Sequence, residues 1–223
     1  MKLKYYLRRF FYSIFVENFN KKIKYNWESF PRRYDILNKI IIKKNYISYL
    51  EIGCFKDETF NKINIKKKIG VDPASGGNLR MTSDQFFEQN KNKFDIIFID
   101  GLHIYEQVKK DILNSIKILN QDGIILIHDC LPRKLWYQTP TRMSDTWNGD
   151  VWKAIVECRT LENIDTYTCL ADEGIGVIKV QKNNNLLNLN LSNFKKLRYK
   201  DYYMNRESLM NIISSEKLLD KIS

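Results

Sequence analysis

Two short apolar runs separated by an amphipathic stretch lie near the middle of the chain. Phe94–Ile99 and residues 123–127 are rich in isoleucine, too short for helices and bounded by polar residues, which is typical of buried strands. Residues 120–123 predict a turn before the second run. Because a crossover helix joins parallel neighbours, the pattern predicts a right-handed strand–helix–strand unit. The apolar residues of the helix recur at the spacing of one face: Tyr105, Val108, Ile112, Ile116 and Leu119.

The same reasoning extends the prediction toward both ends of the chain. The strands predicted over residues 164–170 and 174–180 are separated by a tight turn, and we expect them to form an antiparallel hairpin at the sheet edge. Strands are predicted over residues 47–52, 68–71, 164–170 and 174–180. Helices are predicted over residues 2–16 and 31–45, from residues 57 and 83 onward, and over residues 150–159, 202–213 and 215–222.

Alternating strands and helices are typical of the α/β class, and we expect a Rossmann-like, doubly wound, mostly parallel sheet. The 223 residues, 43% of them apolar, suit one domain with helical appendages at both ends. Three parts are predicted: a basic N-terminal helix and its connection over residues 1–30, an α/β domain over 31–182, and an Asn-rich linker with C-terminal helices over 183–223.

Four titratable residues follow the two central strands. Asp100 ends the first strand and His103 comes three residues later, while His128 and Asp129 end the second. The carboxyl ends of parallel strands share one edge of the sheet, where ligands bind. Taken singly, the acids are better interpreted as caps and His103 as a solvated residue. In a chain with two histidines, however, the convergence of all four favours a metal or acid–base site.

The first predicted strand–turn–strand unit suggests a nucleoside site. Gly53 would let a ligand approach the backbone, and Asp72, nineteen residues later, could bind ribose hydroxyls. The glycines of a dinucleotide fingerprint are missing, so a pyrophosphate is poorly provided for. A nucleoside without phosphates, such as S-adenosylmethionine, fits better. Residues 131–148, which carry two tryptophans and two prolines, are either a substrate lid or a surface connection.

Charge and cysteine content bear on partners and compartment. The net charge is +11, and the first 45 residues carry twelve Lys or Arg against three acids. The basic, aromatic N-terminal helix could therefore pack on the domain or a second subunit, lie on the inner face of the membrane, or bind nucleic acid, although no nucleic-acid motif is present. Four cysteines without paired spacing, no membrane span and no signal peptide predict a cytoplasmic protein with reduced thiols.

Six motifs together resemble class I S-adenosylmethionine-dependent methyltransferases, in particular a bacterial group of them. The resemblance extends from about residue 33 to residue 180 and leaves the N-terminal helix outside. The motifs are Y-L-E-I-G at 49–53, G-V-D-P at 70–73, T-S-D-x-F-F at 82–87, F-D-x-x-F-I-D-G-x-H-x-Y-x-Q-V at 94–108, H-D-x-x-P at 128–132 and G-D-V-W-K-A at 149–154.

The resemblance implies a seven-stranded sheet with an antiparallel edge hairpin, and a cofactor site. Glu51 and Gly53 would lie against the methionine part and Asp72 at the ribose, while Ser83 and Asp84 would lie near the adenine. Asp100 closes the same site. Family members carry a glycine where this chain has Asp57, which we expect to cap the following helix instead.

The strand-end residues also resemble those of metal-dependent catechol-type O-methyltransferases. By position, Asp100, His128 and Asp129 would be the metal ligands and His103 the base, with Asp100 beside it. His128 replaces an oxygen ligand, so the metal is either absent or softer than Mg²⁺. This implies O-methylation of a small-molecule or glycan hydroxyl, with an imidazole that titrates near neutrality as the base.

Two other hypotheses stay open at this point. The first is a non-catalytic cofactor-binding protein that docks through its basic N-terminus to membrane or nucleic acid, although a scaffold has no need of the strand-end residues. The second is a nicotinamide-dependent dehydrogenase, which the missing phosphate-binding glycines disfavour. The sequence does not identify the acceptor, and it leaves a homo-oligomer open.

Overall fold

The computed structural model describes residues 2–222 and contains one seven-stranded sheet over that range. The strand order is β2-β1-β3-β4-β6-β5-β7. The strands are β1 (Ser48–Ile52), β2 (Lys67–Val71), β3 (Phe94–Ile99), β4 (Leu119–Ile127), β5 (Asp165–Cys169), β6 (Ile175–Lys179) and β7 (Ile212–Ile213). The α-helices are α1 (Lys2–Phe15), α2 (Arg33–Lys44), α3 (Ser83–Gln89), α4 (Tyr105–Lys117), α5 (Trp152–Cys158), α6 (Tyr199–Met210) and α7 (Ser215–Lys221).

Strand directions confirm the predicted fold class. β2, β1, β3 and β4 are parallel neighbours, and β6 lies antiparallel between β4 and β5. The hairpin of β5 and β6 is therefore present as predicted. β7, a two-residue strand from the C-terminal segment, pairs in parallel with β5 outside it and completes the seven. The doubly wound, mostly parallel sheet is confirmed.

Helices cover both faces of the sheet because the central strands bury both of their faces. Residues 50 and 52 of β1 and residues 97 and 99 of β3 belong to a cluster that includes α4, α5 and α6. The alternate residues, Tyr49, Ile96 and Phe98, belong to a second cluster with α2 and the C-terminal α7. Successive side chains of each strand therefore point to opposite faces of the sheet. The carboxyl ends of the strands stay open between the two helical layers.

The prediction of a helix that starts at Asp57 was wrong. Only a short 3-10 helix over Phe60–Lys62 is present in this region. Phe55 and Asp57 have positive φ values of 47° and 60°, which turn the chain rather than start a helix. The Asp57 carboxylate accepts a 2.6 Å hydrogen bond from the Gly77 amide and so joins two loops. It does not cap a helix.

Two other local predictions also changed. The turn expected at residues 120–123 is part of β4, where Asp122 has φ 59° and the β3–β4 register shifts. The segment expected to be a linker is bound to the domain: the Asn183 amide donates to the Glu162 carbonyl (2.7 Å) and the Leu187 amide to the Arg159 carbonyl (2.8 Å). Within residues 2–222, no helix has the length and apolar character that a bilayer crossing requires.

Candidate active site

An open cavity of about 760 Å³ lies at the carboxyl ends of β1, β2, β3 and β4. Its wall is contributed by Gly53 after β1, Asp72 after β2, Asp100 after β3, and His128 with Asp129 after β4. This is the position that the sequence predicted, at the rim where parallel strands end. All predicted site residues except Glu51 line the cavity.

The four strand-end residues are in mutual contact at one end of the cavity. His103 Nε2 lies 3.2 Å from Asp100 Oδ1, and His103 Nδ1 lies 3.1 Å from Asp129 Oδ2. His128 Nδ1 lies 3.2 Å from the same Asp100 oxygen and 3.7 Å from Asp129 Oδ1. The two histidines and two acids therefore alternate around one small cluster.

Both histidines in this cluster favour the protonated form. Burial opposes a charge on His103, but the Asp129 charge and the Asp100 hydrogen bond raise its pKa to about 9. Burial likewise opposes a charge on His128, while Asp100 and then Asp129 raise its pKa to about 10. The same contacts hold the pKa of Asp100 well below its usual range despite its burial. The imidazole titration near neutrality expected from the sequence does not hold here.

Arg33 and Asp172, which the sequence reasoning missed, extend the cluster behind the cavity. The Arg33 guanidinium donates to Asp172 Oδ2 (2.9 Å), and its Nε lies 4.0 Å from Asp100 Oδ2. Asp172 Oδ2 lies 3.9 Å from His128 Nε2, and the pKa of Asp172 is lowered by His128 and Arg33 despite burial. In the sequence, Arg33 is one of many basic residues, and Asp172 lies in a predicted hairpin turn. No local pattern therefore marked either residue as part of the site.

The cluster has suitable metal donors but is already balanced in charge. Asp100, His103 and Asp129 each offer a ligand atom within 4.8 Å of the others, so His103 takes the place that the sequence gave His128 in this set. Two carboxylates and an imidazole suit a divalent cation. With both histidines protonated, however, the positive charge is already supplied, so a metal would have to displace protons.

At the other end of the cavity, Asp72 joins two backbone loops. Its Oδ2 accepts from the amides of Cys54 (3.0 Å) and Phe55 (2.9 Å), and its Oδ1 from those of Ala74 (2.8 Å) and Ser75 (2.9 Å). Although burial opposes the charge, these four bonds lower the pKa of Asp72. The carboxylate thus shapes the cavity wall, and a ribose diol would have to share its oxygens with these amides.

Gly53 is required by the backbone around it rather than by a ligand alone. Its φ is +89°, and a Cβ there would lie 2.3 Å from the Asp100 carbonyl oxygen. The strand ends of β1 and β3 can approach only because this side chain is missing. Glu51, the next-to-last residue of β1, is 1% exposed and accepts a hydrogen bond from the Tyr49 hydroxyl. Burial and then the Asp100 charge raise the pKa of Glu51 to about 8, although the Tyr49 bond opposes the shift.

Ser83 and Asp84 lie on the cavity wall at the start of α3, whose Thr82 accepts from the Gln85 amide as its N-cap. The Gln107 side-chain amide approaches Ser83 Oγ (3.2 Å) and Asp84 Oδ1 (3.1 Å). Gln107 also lines the cavity, although in the sequence it stands out only as part of a motif. Its amide therefore fixes the residues predicted to lie near the adenine.

Residues 131–148, here the lid segment, cover one side of the cavity. Arg142, Asp145 and Trp147 of this segment line the wall. The Trp147 ring lies 5.4 Å from the His103 ring, and its carbonyl oxygen lies 3.1 Å from His103 Nδ1. The segment thus lies directly beside the cluster, which favours the lid interpretation over a surface connection.

Comparisons with known proteins agree with this fold. Residues 69–130 match the model of a methyltransferase domain. A putative caffeoyl-CoA O-methyltransferase from Staphylococcus aureus superposes with a TM-score of 0.50 at 14% identity, over 78% of this chain and 90% of that chain. A putative O-methyltransferase from Klebsiella pneumoniae gives 0.50 at 11% identity, over 81% and 99%. A cofactor-bound MTB protein gives 0.51 at 10% identity, over 79% and 97%.

No curated protein matches the chain. The matched segment and the fold agree with the resemblance to class I methyltransferases that the sequence motifs carry. Within that class, two of the superposed structures are putative O-methyltransferases, and at these identities the likeness to them is one of fold.

Proposed function

We propose that the chain transfers a methyl group from S-adenosylmethionine to a hydroxyl of a small molecule or a glycan. The observation that carries the proposal is one cavity whose two ends differ in chemistry. One end offers Asp72, Ser83 and Gln107, and the other offers the cluster of His103 with Asp100 and Asp129. A donor at the first end would bring its reactive group toward the second.

The cofactor end provides a wall and a set of polar groups that fit a nucleoside. Ile52, Val71 and Pro73 supply apolar surface to this cavity, while Ser83 and Asp84 supply polar atoms. Asp72 would meet the ribose through oxygens that also hold the loop amides. When bound, the cofactor supplies an activated methyl group on a sulfonium. Glu51 lies behind the cavity wall, where it interacts with the charge of Asp100. Its effect on the methionine part would therefore pass through Asp100.

The acceptor end must orient a hydroxyl and remove its proton. Orientation in a bound pair can lower the barrier by up to roughly 7–11 kcal/mol. His103 is the proposed base, and Asp100 and Asp129 hold its ring from both nitrogens. Because both contacts favour the imidazolium, His103 accepts a proton only after it has lost its own, which an alkaline medium or displacement of one carboxylate would bring about.

Metal assistance is the second form of the same proposal. Asp100 and Asp129 would hold a divalent cation, with either His103 or His128 as the nitrogen ligand. The ion would stabilise the alkoxide of the acceptor. The cytoplasmic location and a homo-oligomer stay predictions.

Isothermal titration of the full chain with S-adenosylhomocysteine, and in parallel with NAD, tests the proposal. We expect binding of S-adenosylhomocysteine and none of NAD. His103→Ala should keep this affinity within about twofold and abolish the formation of S-adenosylhomocysteine from S-adenosylmethionine with catechol or sugar acceptors. Absence of S-adenosylhomocysteine binding, or equal binding of NAD, would overturn the assignment, and unchanged turnover in His103→Ala would remove the base.

A further inference from the structure

The N-terminal helix α1 packs with its apolar side outward. Tyr5, Arg8, Arg9 and Tyr12, which share one side of the helix, are partly buried against the domain. On the opposite side of the helix, each residue has between 45% and 76% of its surface exposed. This outer face of α1 and its C-terminal end consists of Leu3, Tyr6, Leu7, Phe10, Phe11, Ile14, Phe15 and Val16.

The inner side of α1 is fixed to the lid segment by specific contacts. Arg9 Nε donates to the Met143 carbonyl (2.8 Å) and an Arg8 guanidinium nitrogen to the Arg142 carbonyl (3.2 Å). The Tyr12 and Trp136 rings lie edge to face with centroids 6.1 Å apart. The orientation of α1 is therefore set by side chains that bind the domain.

Cationic side chains border the outer face of α1. Lys4 is exposed and precedes Leu7 by three positions and Phe11 by seven, so it lies at the margin of the same face. At the C-terminal end of α1, residues 13–19 share an open cavity of about 460 Å³ with Arg198 and Lys200. Glu17 points inward there, because its carboxylate accepts from the amides of Tyr199 (3.0 Å) and Lys200 (2.7 Å).

An amphipathic helix on a water-soluble domain normally buries its apolar face. A contiguous exposed apolar face bordered by charges marks a surface that another body covers. The α1 sequence contains no acidic residue, so the charges that α1 places at the border of this apolar face are cationic. A second copy bound face to face would bring two cationic borders together, which is unfavourable. An anionic bilayer offers both an apolar interior and negative headgroups.

We propose that the outer face of α1 docks the protein on an anionic lipid bilayer, with Lys4, Arg198 and Lys200 at the level of the lipid headgroups. The contacts of Arg8 and Arg9 with the lid segment would then hold the lid next to the bilayer surface. This inference is independent of the methyl-transfer proposal, because it rests on a surface outside the cavity.

Co-sedimentation of the full chain with vesicles tests the docking. One set of vesicles is phosphatidylcholine alone, and the other is a one-to-one mixture of phosphatidylcholine and phosphatidylglycerol. We expect the protein to pellet with the mixed vesicles and not with the neutral ones, and added salt should weaken the association. Failure to pellet with either set, or equal pelleting with both, would overturn the proposal.

Matched variants separate the apolar from the charged contribution. The double variant F10S/F15S should lose at least about tenfold in partitioning to the mixed vesicles, whereas Ile42→Ser, at a residue 73% exposed on α2, should not. Lys200→Glu should lose about fivefold or more, whereas Lys91→Glu, an equal charge change at an exposed loop residue, should lose less. Equal losses in the target and control variants would contradict a docking face.

Light scattering without vesicles identifies the competing occupant. A dimer of the unmodified chain that F10S/F15S converts to a monomer would show that a second copy covers the face, and would overturn bilayer docking. Titration with S-adenosylhomocysteine on the same samples keeps the two proposals apart: vesicle binding without cofactor binding leaves the docking intact and removes the methyl-transfer proposal, and the reverse result does the opposite.

Discussion

His103 Nδ1 lies 3.1 Å from Oδ2 of Asp129. The other ring nitrogen faces Asp100 at 3.2 Å, so an acceptor stands at each end of the imidazole. An imidazole donates from both nitrogens only when protonated. The arrangement therefore stabilises a positive ring at the position where the resemblance implies a base, and it sets the pH range in which that base can act.

The first prediction concerns the pH dependence of methyl transfer. A base with a pKa of about 9 is mostly protonated at pH 7, so turnover should rise with pH until about 9. Asp129→Asn removes the leading charge that raises this pKa, and asparagine tolerates the φ of 61° found at this position. The alkaline rise should then move roughly 1–3 pH units lower in kcat profiles.

Asp145→Asn is the matched control for this shift. Asp145 lines the same cavity, and its side chain is not paired with His103. Its profile should coincide with that of the unmodified protein. If Asp129→Asn and Asp145→Asn gave the same profile, the Asp129 contact would not govern the proton on His103.

The second prediction separates a wall-forming role of Asp72 from a purely ligand-binding one. Asp72→Asn replaces one acceptor oxygen by an amide group, which cannot accept from the loop amides at residues 54–55 or 74–75. We expect a loss of about 2–3 kcal/mol in the free energy of unfolding, together with weaker S-adenosylhomocysteine binding. Urea denaturation and calorimetry measure the two effects. Weaker binding at unchanged stability would assign Asp72 to the ligand alone.

The strand-end prediction succeeded because it needed only periodicity and topology. The isoleucine-rich runs of β3 and β4 are buried on both faces, so they are visible as apolar runs, and parallel pairing then brings residues 100 and 129 to one rim. The helix predicted from residue 83 is present for an equally local reason, since the Thr82 hydroxyl accepts from the Gln85 amide at the start of α3.

The features that the sequence did not predict depend on contacts between distant parts of the chain. Asp172 and Arg33 meet across 139 positions of sequence, and neither has a local pattern that indicates the pairing. β7 has only two residues and is separated from α6 by Asn211 alone, so its apolar pair looked like a continuation of that helix. The turn at Phe55 depends on a positive φ in a bulky residue, which tertiary contacts impose against local preference.

The third prediction uses the buried carboxyl of Glu51. Its pKa is raised to about 8 in the folded chain, against about 4.3 in an unfolded one. Between these values the folded state keeps a proton that the unfolded state loses, so stability falls as pH rises from about 4.3 to about 8. Glu51→Gln should remove this decline, which is at most about 1.4 kcal/mol per pH unit. Urea denaturation at several pH values measures the difference.

Other groups also titrate in this range, so the comparison is made between the unmodified chain and the variant. Glu28→Gln, at an exposed glutamate, is the control and should leave the pH dependence as it is. A parallel decline in Glu51→Gln would show that Glu51 is ionised in the folded protein.

The fourth prediction concerns a divalent ion at the cluster. Because the bridging contacts favour protonated histidines, with pKa values of about 9 and 10, an ion must displace protons to bind. The affinity for Mn²⁺ should therefore rise between pH 6.5 and 9, and calorimetry in two buffers of different ionisation enthalpy should show proton release. An affinity independent of pH would mean that the ion binds without His103 or His128.

The fifth prediction tests the division of the chain into three parts. The C-terminal segment buries Tyr202 and Met210, and the Tyr202 ring lies 5.0 Å from that of Trp152 on α5. The segment also supplies β7 at the edge of the sheet and Leu218 to the second core cluster. Removing residues 183–223 exposes these contacts, and we expect the remaining chain to lose its cooperative thermal transition.

Removing residues 2–15 is the comparison, because α1 contacts the domain mainly through Arg8, Arg9 and Tyr12 and leaves its apolar face outside. That shortened chain should keep a cooperative transition with a lower Tm, since Glu17 and its bonds to the start of α6 are retained. Differential scanning calorimetry of both deletions measures the contrast. If the chain without residues 183–223 unfolded cooperatively near the original Tm, those residues would be an independent appendage, and the α/β domain would end near residue 182 as the sequence predicted.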